Sequence, residues 1–267
     1  MMRLRAYIEG IGLLGPGLDS WPQAADVLAG RASYAARRTV LPLPAGLPAA
    51  ERRRTGAVVR AALAVGHEAV LASARDAATL ATVFTASGGD GPNYHAICET
   101  LAGEDRQLSP TRFHNSVHNA PAGYWSIATR AMAASNVLCA FDGSFAAGLL
   151  ESLCQVSVDG VATLLIAYDT DYPEPLRHAR PVDDAFGVAL VLAPEPGART
   201  LASIEARLTD APATLLDDPA MERLRLGNPA ARALPLLDAL VRQHRSNVVL
   251  DYLQGTQLHV DIEAGAR

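Results

Sequence analysis

The sequence predicts an α/β protein built on a layered, partly parallel sheet. Three observations lead there. Short β-rich runs alternate with segments of helical spacing along the chain. The 267 residues are 49% hydrophobic, enough to bury a sizeable core. No linker or short-period repeat divides them, so residues 1–267 are expected to form a single domain.

Arg5–Ile11 alternates in polarity and reads as a first strand, followed by a Gly/Pro turn over Gly12–Gly17. Trp21–Ala29 reads as a short helix and Arg31–Pro48 as irregular, Pro-rich chain. Ala49 to about Ala74 is expected to be one long helix, since Val58, Ala61, Ala62, Val65, Ala69 and Ala72 recur at helical spacing. Leu80–Ala86 reads as a buried strand that ends in a loop, Ser87–Pro92. Asn93–Leu101 and Ala120–Ala134 are expected to be helical, Asn136–Phe141 a strand, Gly143–Val156 a helix and Val161–Tyr168 a strand. A loop over Asp169–Asp184 leads to strands at Phe186–Leu192 and Leu201–Arg207. A helix at Leu234–Arg242 and strands at Asn247–Tyr252 and Gln257–Ile262 complete the reading.

Composition removes several chemistries. All 23 basic residues are arginine, and lysine is absent. Schiff-base chemistry needs a primary amine, and P-loop and protein-kinase sites need a lysine on the phosphates. The net charge of −5 argues against nucleic acid as the main partner. No apolar run of about 18 residues suggests a membrane span, and the broken apolar stretch at the start does not read as a signal peptide. Cys98, Cys139 and Cys154 lack CxxC spacing, which fits a reduced, cytoplasmic setting.

Several local patterns invite functional readings. Gly10-Ile-Gly-Leu-Leu-Gly15 matches GxGxxG after a strand, but Pro16-Gly17 follows where a helix should open, and no suitable acidic residue stands further on. No dinucleotide is expected. His114 and His118 have the i, i+4 spacing of a metal chelate, yet no Glu or Cys stands at ligand spacing, and Ser109-Pro110 suggests that extended chain leads into the segment. No metal or other cofactor is expected. Ser144, in Asp142-Gly143-Ser144-Phe145-Ala146, lacks the second glycine of a nucleophile elbow. Arg52-Arg53-Arg54 reads either as a solvated helix start or as a docking patch for an acidic partner such as an acyl carrier protein.

The densest motifs carry a family resemblance. YIEGIGLLGPG (Tyr7–Gly17), WPQAADVLAG (Trp21–Gly30), the run Ser109–Leu153 with FHNSVHNAPAGYW inside it, and ARPVDDAFGVALVLAPEPGA (Ala179–Ala198) resemble the β-ketoacyl synthase branch of the thiolase superfamily. Within it, the chain resembles the short ketosynthase-like proteins of aryl polyene clusters. The resemblance implies a truncated thiolase-like αβαβα layered fold, with the C-terminal half shortened from about residue 179.

It also implies what is missing. The family's nucleophile is a cysteine at the start of the buried helix, with its thiolate favoured by the helix dipole. An ungapped count from Asn119 brings that position to Asp142, which suits an N-cap of the helix Gly143–Val156. Cys139, three residues earlier on an expected strand, faces away and reads as a small core residue. The family's lysine and its two histidine motifs have no counterpart, and His244 and His259 stand in no matching context.

The resemblance therefore implies a non-catalytic, chain-length-factor-like subunit. It would pair as a heterodimer with a full-length β-ketoacyl synthase and meet an acyl carrier protein. Phe113, His114, Asn115, Ser116, His118 and Asn119 would border the partner's acyl channel, with Ser116 at a length-limiting position. Phe141, Asp142 and Ser144 would close the chain's own degenerate pocket. The alternative is an active acyltransferase or thioesterase using Cys139 or Ser144. A third reading is a homodimeric scaffold that only binds acyl carrier protein.

Overall fold

The computed structural model describes residues 4–242 and 245–265, so His244 lies outside the described residues. Eight strands join in one sheet: β1 (Leu4–Leu14), β2 (Ala81–Thr85), β3 (Ser135–Leu138), β4 (Thr163–Asp169), β5 (Phe186–Ala193), β6 (Ala202–Thr209), β7 (Ser246–Leu253) and β8 (Thr256–Ala264). Their order is β3-β2-β4-β5-β1-β6-β8-β7. Only β3, β2 and β4 run parallel to one another; the remaining neighbours are antiparallel. The predicted α/β class and thiolase-like fold are what the structure shows. β6, β8 and β7 extend the same sheet edgewise beyond β1.

Helices cover both faces. In chain order they are α1 (Trp21–Leu28), α2 (Ala49–Arg52), α3 (Ala57–Ser73), α4 (Gly91–Ala102), α5 (Pro110–Asn115), α6 (Ala120–Thr129), α7 (Ser144–Cys154), α8 (Leu176–Ala179), α9 (Pro219–Gly227) and α10 (Leu234–Arg242). One core, around Leu63, Val65, Phe84 and Trp125, lies between the sheet and α3 and α6. The other gathers Leu149 and Leu153 of α7, Leu236 and Leu237 of α10 and Ala24 of α1 against the opposite face. β4 and β5 are buried along their whole length, as strands covered on both faces must be.

Several expected boundaries move, each for a physical reason. Of the glycines of GIGLLG only Gly15 enters the turn, its N–H and carbonyl pairing with Leu18 (2.7 and 2.9 Å). β1 runs on to Leu14, and Gly10 and Gly12 lie inside it, where an added Cβ would meet the carbonyl oxygens of Ala69 and Val65 at 2.1 and 2.0 Å. These glycines bring the strand backbone against α3. The long helix at 49–74 is broken at Thr55-Gly56. The Thr55 hydroxyl donates to the Arg52 carbonyl (2.9 Å), and a Cβ on Gly56 would strike the Asp90 carboxylate.

Two helices stand where loop or extended chain was expected. Ser109 is extended, as a residue before proline should be, but Pro110 then opens α5 from its first turn and Ser109 accepts from the Arg112 N–H (3.4 Å). Asp218 caps α9 in the same way, accepting from the N–H groups of Ala220 and Met221 at 2.7 and 3.2 Å. α4 likewise begins at Gly91, inside the expected loop, because Asp90 accepts from the Asn93 N–H (3.1 Å).

Candidate functional site

Ligands in open α/β sheets bind beyond the carboxyl ends of the parallel strands. Here those ends carry Ser87 after β2, Cys139 after β3 and Asp169 at the end of β4. Ser87 joins them: its N–H and hydroxyl both donate to Asp169 Oδ1 (2.9 and 2.6 Å), and its carbonyl accepts from the Cys139 thiol (3.3 Å). Tyr172 adds a phenol 3.3 Å from the Ser87 hydroxyl. Burial pushes the Asp169 carboxyl up to about 7 despite its bonds to Ser87, and its second oxygen, Oδ2, has no protein partner.

The turn from β3 into α7 forms the outer wall. Phe141 sits in the left-handed region at φ 52°, an arrangement that costs a non-glycine residue about 1–2 kcal/mol. Its ring is 62% exposed, and the Arg180 guanidinium stacks on it 3.6 Å from the ring centre. Ser144 fastens the turn: its hydroxyl donates to the Phe141 carbonyl (2.7 Å) and accepts from the Ala140 N–H (3.0 Å). Gly143 is required behind it, since a Cβ there would lie 2.0 Å from the Tyr252 carbonyl oxygen of β7.

Asp142 does not cap the helix. The N-cap position of α7 is Gly143, and no side chain caps it. The Asp142 carboxylate instead bridges two arginines, accepting from Arg180 at 2.7 Å and from Arg232 at 3.2 Å. Arg232 continues to Asp251 (3.3 Å), which also pairs with Arg225, and Arg225 is held by Glu222 (2.7 Å). Arg180 and Arg232 are 18% and 16% exposed, so Asp142 neutralises cations already largely removed from water. The capping expectation failed because a short 3-10 turn, Phe141–Gly143, intervenes between strand and helix.

Cys139 also departs from expectation. β3 stops at Leu138, so strand alternation no longer governs it, and the side chain is exposed rather than in the core. Ser144 is buried, and its hydroxyl is spent on the turn in both directions.

The residues expected to border a channel separate into two groups. Phe113, His114 and Asn119 are exposed, with Phe113 at 65%. Asn115 points inward and joins elements, donating to the Arg54 carbonyl (2.7 Å) and accepting from the Tyr124 hydroxyl (3.2 Å). The Ser116 hydroxyl donates to the Phe113 carbonyl (2.8 Å), and its own carbonyl accepts from the Tyr94 hydroxyl (2.6 Å). His114 and His118 do not share a helix, because α5 ends at Asn115. The His114 ring meets Tyr124 edge-on at 6.2 Å, while His118 turns to the Gly88 backbone; burial lowers its pKa and its Nε2 has no protein partner. The structure thus gathers Cys139, Phe141, Asp142, Ser144 and His118 around the Ser87–Gly88 corner. Among the described residues no group of three His, Cys, Asp or Glu side chains could hold a metal ion. His259 stands apart, on β8 beside Arg207 and Asp261.

A family model described as "Beta-ketoacyl synthase, N-terminal domain" matches residues 21–251, most of the chain. The chain belongs to the β-ketoacyl synthase family. Solved ketosynthase-family structures share the fold. One is the ketosynthase ApeO in complex with its chain length factor ApeC from Xenorhabdus doucetiae, with a TM-score of 0.72 at 22% identity over 96% of this chain and 98% of that one. The ishigamide ketosynthase/chain length factor gives 0.72 at 12% identity, covering 98% of this chain and 99% of that one. A type II polyketide ketosynthase, AntDE, with its acyl carrier protein AntF gives 0.74 at 12% identity, covering 99% and 100%. At these identities the likeness is one of fold. No curated protein matches the sequence.

Sequence reasoning missed Arg180, Arg232, Asp251, Ser87 and Asp169 as parts of this ketosynthase-family site. Arg180 stood inside the ARPVDD run, but only the resemblance drew attention to it. The others carry no local pattern: Asp142 and Arg232 are 90 positions apart in the chain.

Proposed function

We propose that this chain is a ketosynthase-like subunit without condensing activity of its own, pairing with an active β-ketoacyl-acyl-carrier-protein synthase. It acts there as a chain-length-factor-like partner, in a polyketide-type pathway of the aryl polyene kind. One observation carries the reading. The strand-to-helix turn at the ends of the parallel strands presents Phe141 and Asp142, a ring and a carboxylate committed to Arg180 and Arg232, in place of a nucleophile with a base beside it.

The surface suits a partner. β3 is an edge strand of the sheet with its first residues exposed, and Met132 just before it is 94% exposed. Phe113, Val117 and Phe141 expose a further 65%, 51% and 62% of their surface. A sheet edge left unpaired beside apolar side chains is a ready surface for another chain. Arg52 and Arg53, exposed near the start of α3, offer guanidinium groups to an acidic carrier protein. Two of the solved structures are described as pairs of a ketosynthase with a chain length factor, which supports the reading.

Co-expression with a full-length ketosynthase from the same genome tests it. A stable 1:1 complex and a change in product length when this chain is omitted are expected. Separation of the chains on gel filtration with unchanged product length would overturn the proposal.

A further inference from the structure

A cleft of about 430 Å³ opens between α3, the end of β1 and the Pro42–Ala45 segment. Its walls are apolar, formed by Leu13, Leu14, Leu43, Pro44 and Val65. Three polar side chains of α3 border it, Arg60, His67 and Glu68. Arg60 has no carboxylate within ion-pair distance among the described residues, and its Nε is buried without a partner. His67 is stacked on Trp125, with ring centres 4.9 Å apart, and is tied to the Ala45 backbone; its Nε2 is buried and unpartnered.

The two acids in the cleft are already committed. Asp19 pairs with Arg37, and both oxygens of Glu68 accept backbone N–H groups, from Leu13 (2.8 Å) and Trp21 (2.7 Å). Neither is placed to neutralise Arg60. A guanidinium with no carboxylate beside it and apolar walls around it favours an oxyanion, which arginine binds in bidentate fashion. His67 takes no part: Ala45 and Trp125 hold its ring, and its Nε2 is buried out of a ligand's reach.

We propose that this cleft is a binding site for a medium-length carboxylic acid, its carboxylate on the Arg60 guanidinium and its apolar body along Leu13, Leu43 and Val65. The site is separate from the Ser87–Asp169 corner and does not depend on the pairing proposed above. An apolar acid is the occupant that satisfies both the unpaired cation and the hydrophobic walls.

Calorimetry on the purified full chain tests it with three probes of one size: octanoate, octanol and octylamine. Octanoate should bind about ten-fold more tightly than octanol or octylamine. Arg60→Gln should abolish the preference for octanoate over octanol. Equal binding of octanoate, octanol and octylamine to the unaltered chain would overturn the site, whether or not the variants fold. So would an Arg60→Gln variant with an unchanged unfolding midpoint that keeps the octanoate preference.

Discussion

The Arg180 guanidinium lies 3.6 Å from the centre of the Phe141 ring while it donates to Asp142 at 2.7 Å. One cation thus holds two consecutive residues of a strained turn, by its face and by its edge. Cation–π contact of this kind contributes about 0.5–2 kcal/mol, comparable to the cost of the left-handed Phe141 backbone. The turn keeps its shape because Arg180 balances that cost.

Removing the anion should therefore loosen the turn. Asp142→Ala leaves Arg180 without its carboxylate and Arg232 with Asp251 alone. Because the Asp142 side chain is 40% exposed and solvent screens it, the expected loss is about 1 kcal/mol. A double-mutant cycle with Arg180→Gln, read by urea unfolding, should give a coupling energy above about 0.5 kcal/mol. A coupling near zero would mean that the bridge is incidental.

Asp169 sets a pH dependence of definite sign. Its folded-state pKa, raised to about 7, lies above the ordinary 3.8, so between these values the folded chain holds more protons than the unfolded chain. This group's contribution is complete below about pH 4, falls as pH rises toward 7 and is flat above that. Asp169→Asn should remove the decline and gain stability relative to the wild type at pH 8 compared with pH 5. Urea midpoints of both proteins at the two pH values measure it; parallel profiles would contradict it.

Gly143 should tolerate no side chain. A Cβ at 2.0 Å from the Tyr252 carbonyl must displace β7 or the turn, and Gly143→Ala should cost about 1–3 kcal/mol or abolish soluble expression. Gly123→Ala, inside α6 where nothing lies within 4 Å of the added Cβ, is the matched control and should stabilise by up to about 1 kcal/mol.

Acyl transfer through Cys139 is the competing chemistry to exclude. The thiol is exposed but donates to the Ser87 carbonyl, and among the described residues no histidine is hydrogen-bonded to it. Incubation with a labelled acyl thioester should leave the intact mass unchanged. A stable adduct that disappears in Cys139→Ser would favour an acyltransferase.

Surface substitutions separate partner binding from folding. Phe113→Glu and Met132→Glu replace side chains 65% and 94% exposed, so the unfolding midpoint of the isolated chain should hardly move. Affinity for the partner ketosynthase should fall about ten-fold or more for whichever side chain the interface buries. Ser116→Trp should shorten the products of the complex without stopping turnover; unchanged lengths would remove Ser116 from the channel.

How much could be read from the sequence varied with how local the cause was. The β4 and β5 runs, LLIAY and FGVALVLA, announced buried strands because a strand covered on both faces needs nothing else. The division of the 49–74 helix was not readable, since Gly56 is required by the distant Asp90 rather than by its neighbours. α5 and α9 were legible but overlooked: Ser109-Pro110 and Asp218-Pro219 are both a capping residue followed by proline at the first helical position. At the site, the identity of residues 139–144 could be read but their roles could not. Asp142 is an N-cap in sequence logic and an arginine bridge in space, because Arg180 and Arg232 arrive from remote segments.

The support of Gly143 by Tyr252, and of Arg232 by Asp251, has a consequence for the order of events during synthesis. The turn that carries Phe141 emerges from the ribosome long before β7, the strand that backs it. Until then Asp251 and Tyr252 are absent, and the strained backbone at Phe141 lacks part of what holds it. A nascent chain halted between α7 and β7 should present a protease-sensitive turn over residues 139–144, and release of the finished chain should close it. The site is therefore the last part of this protein to become itself, although its residues lie near the middle of the chain.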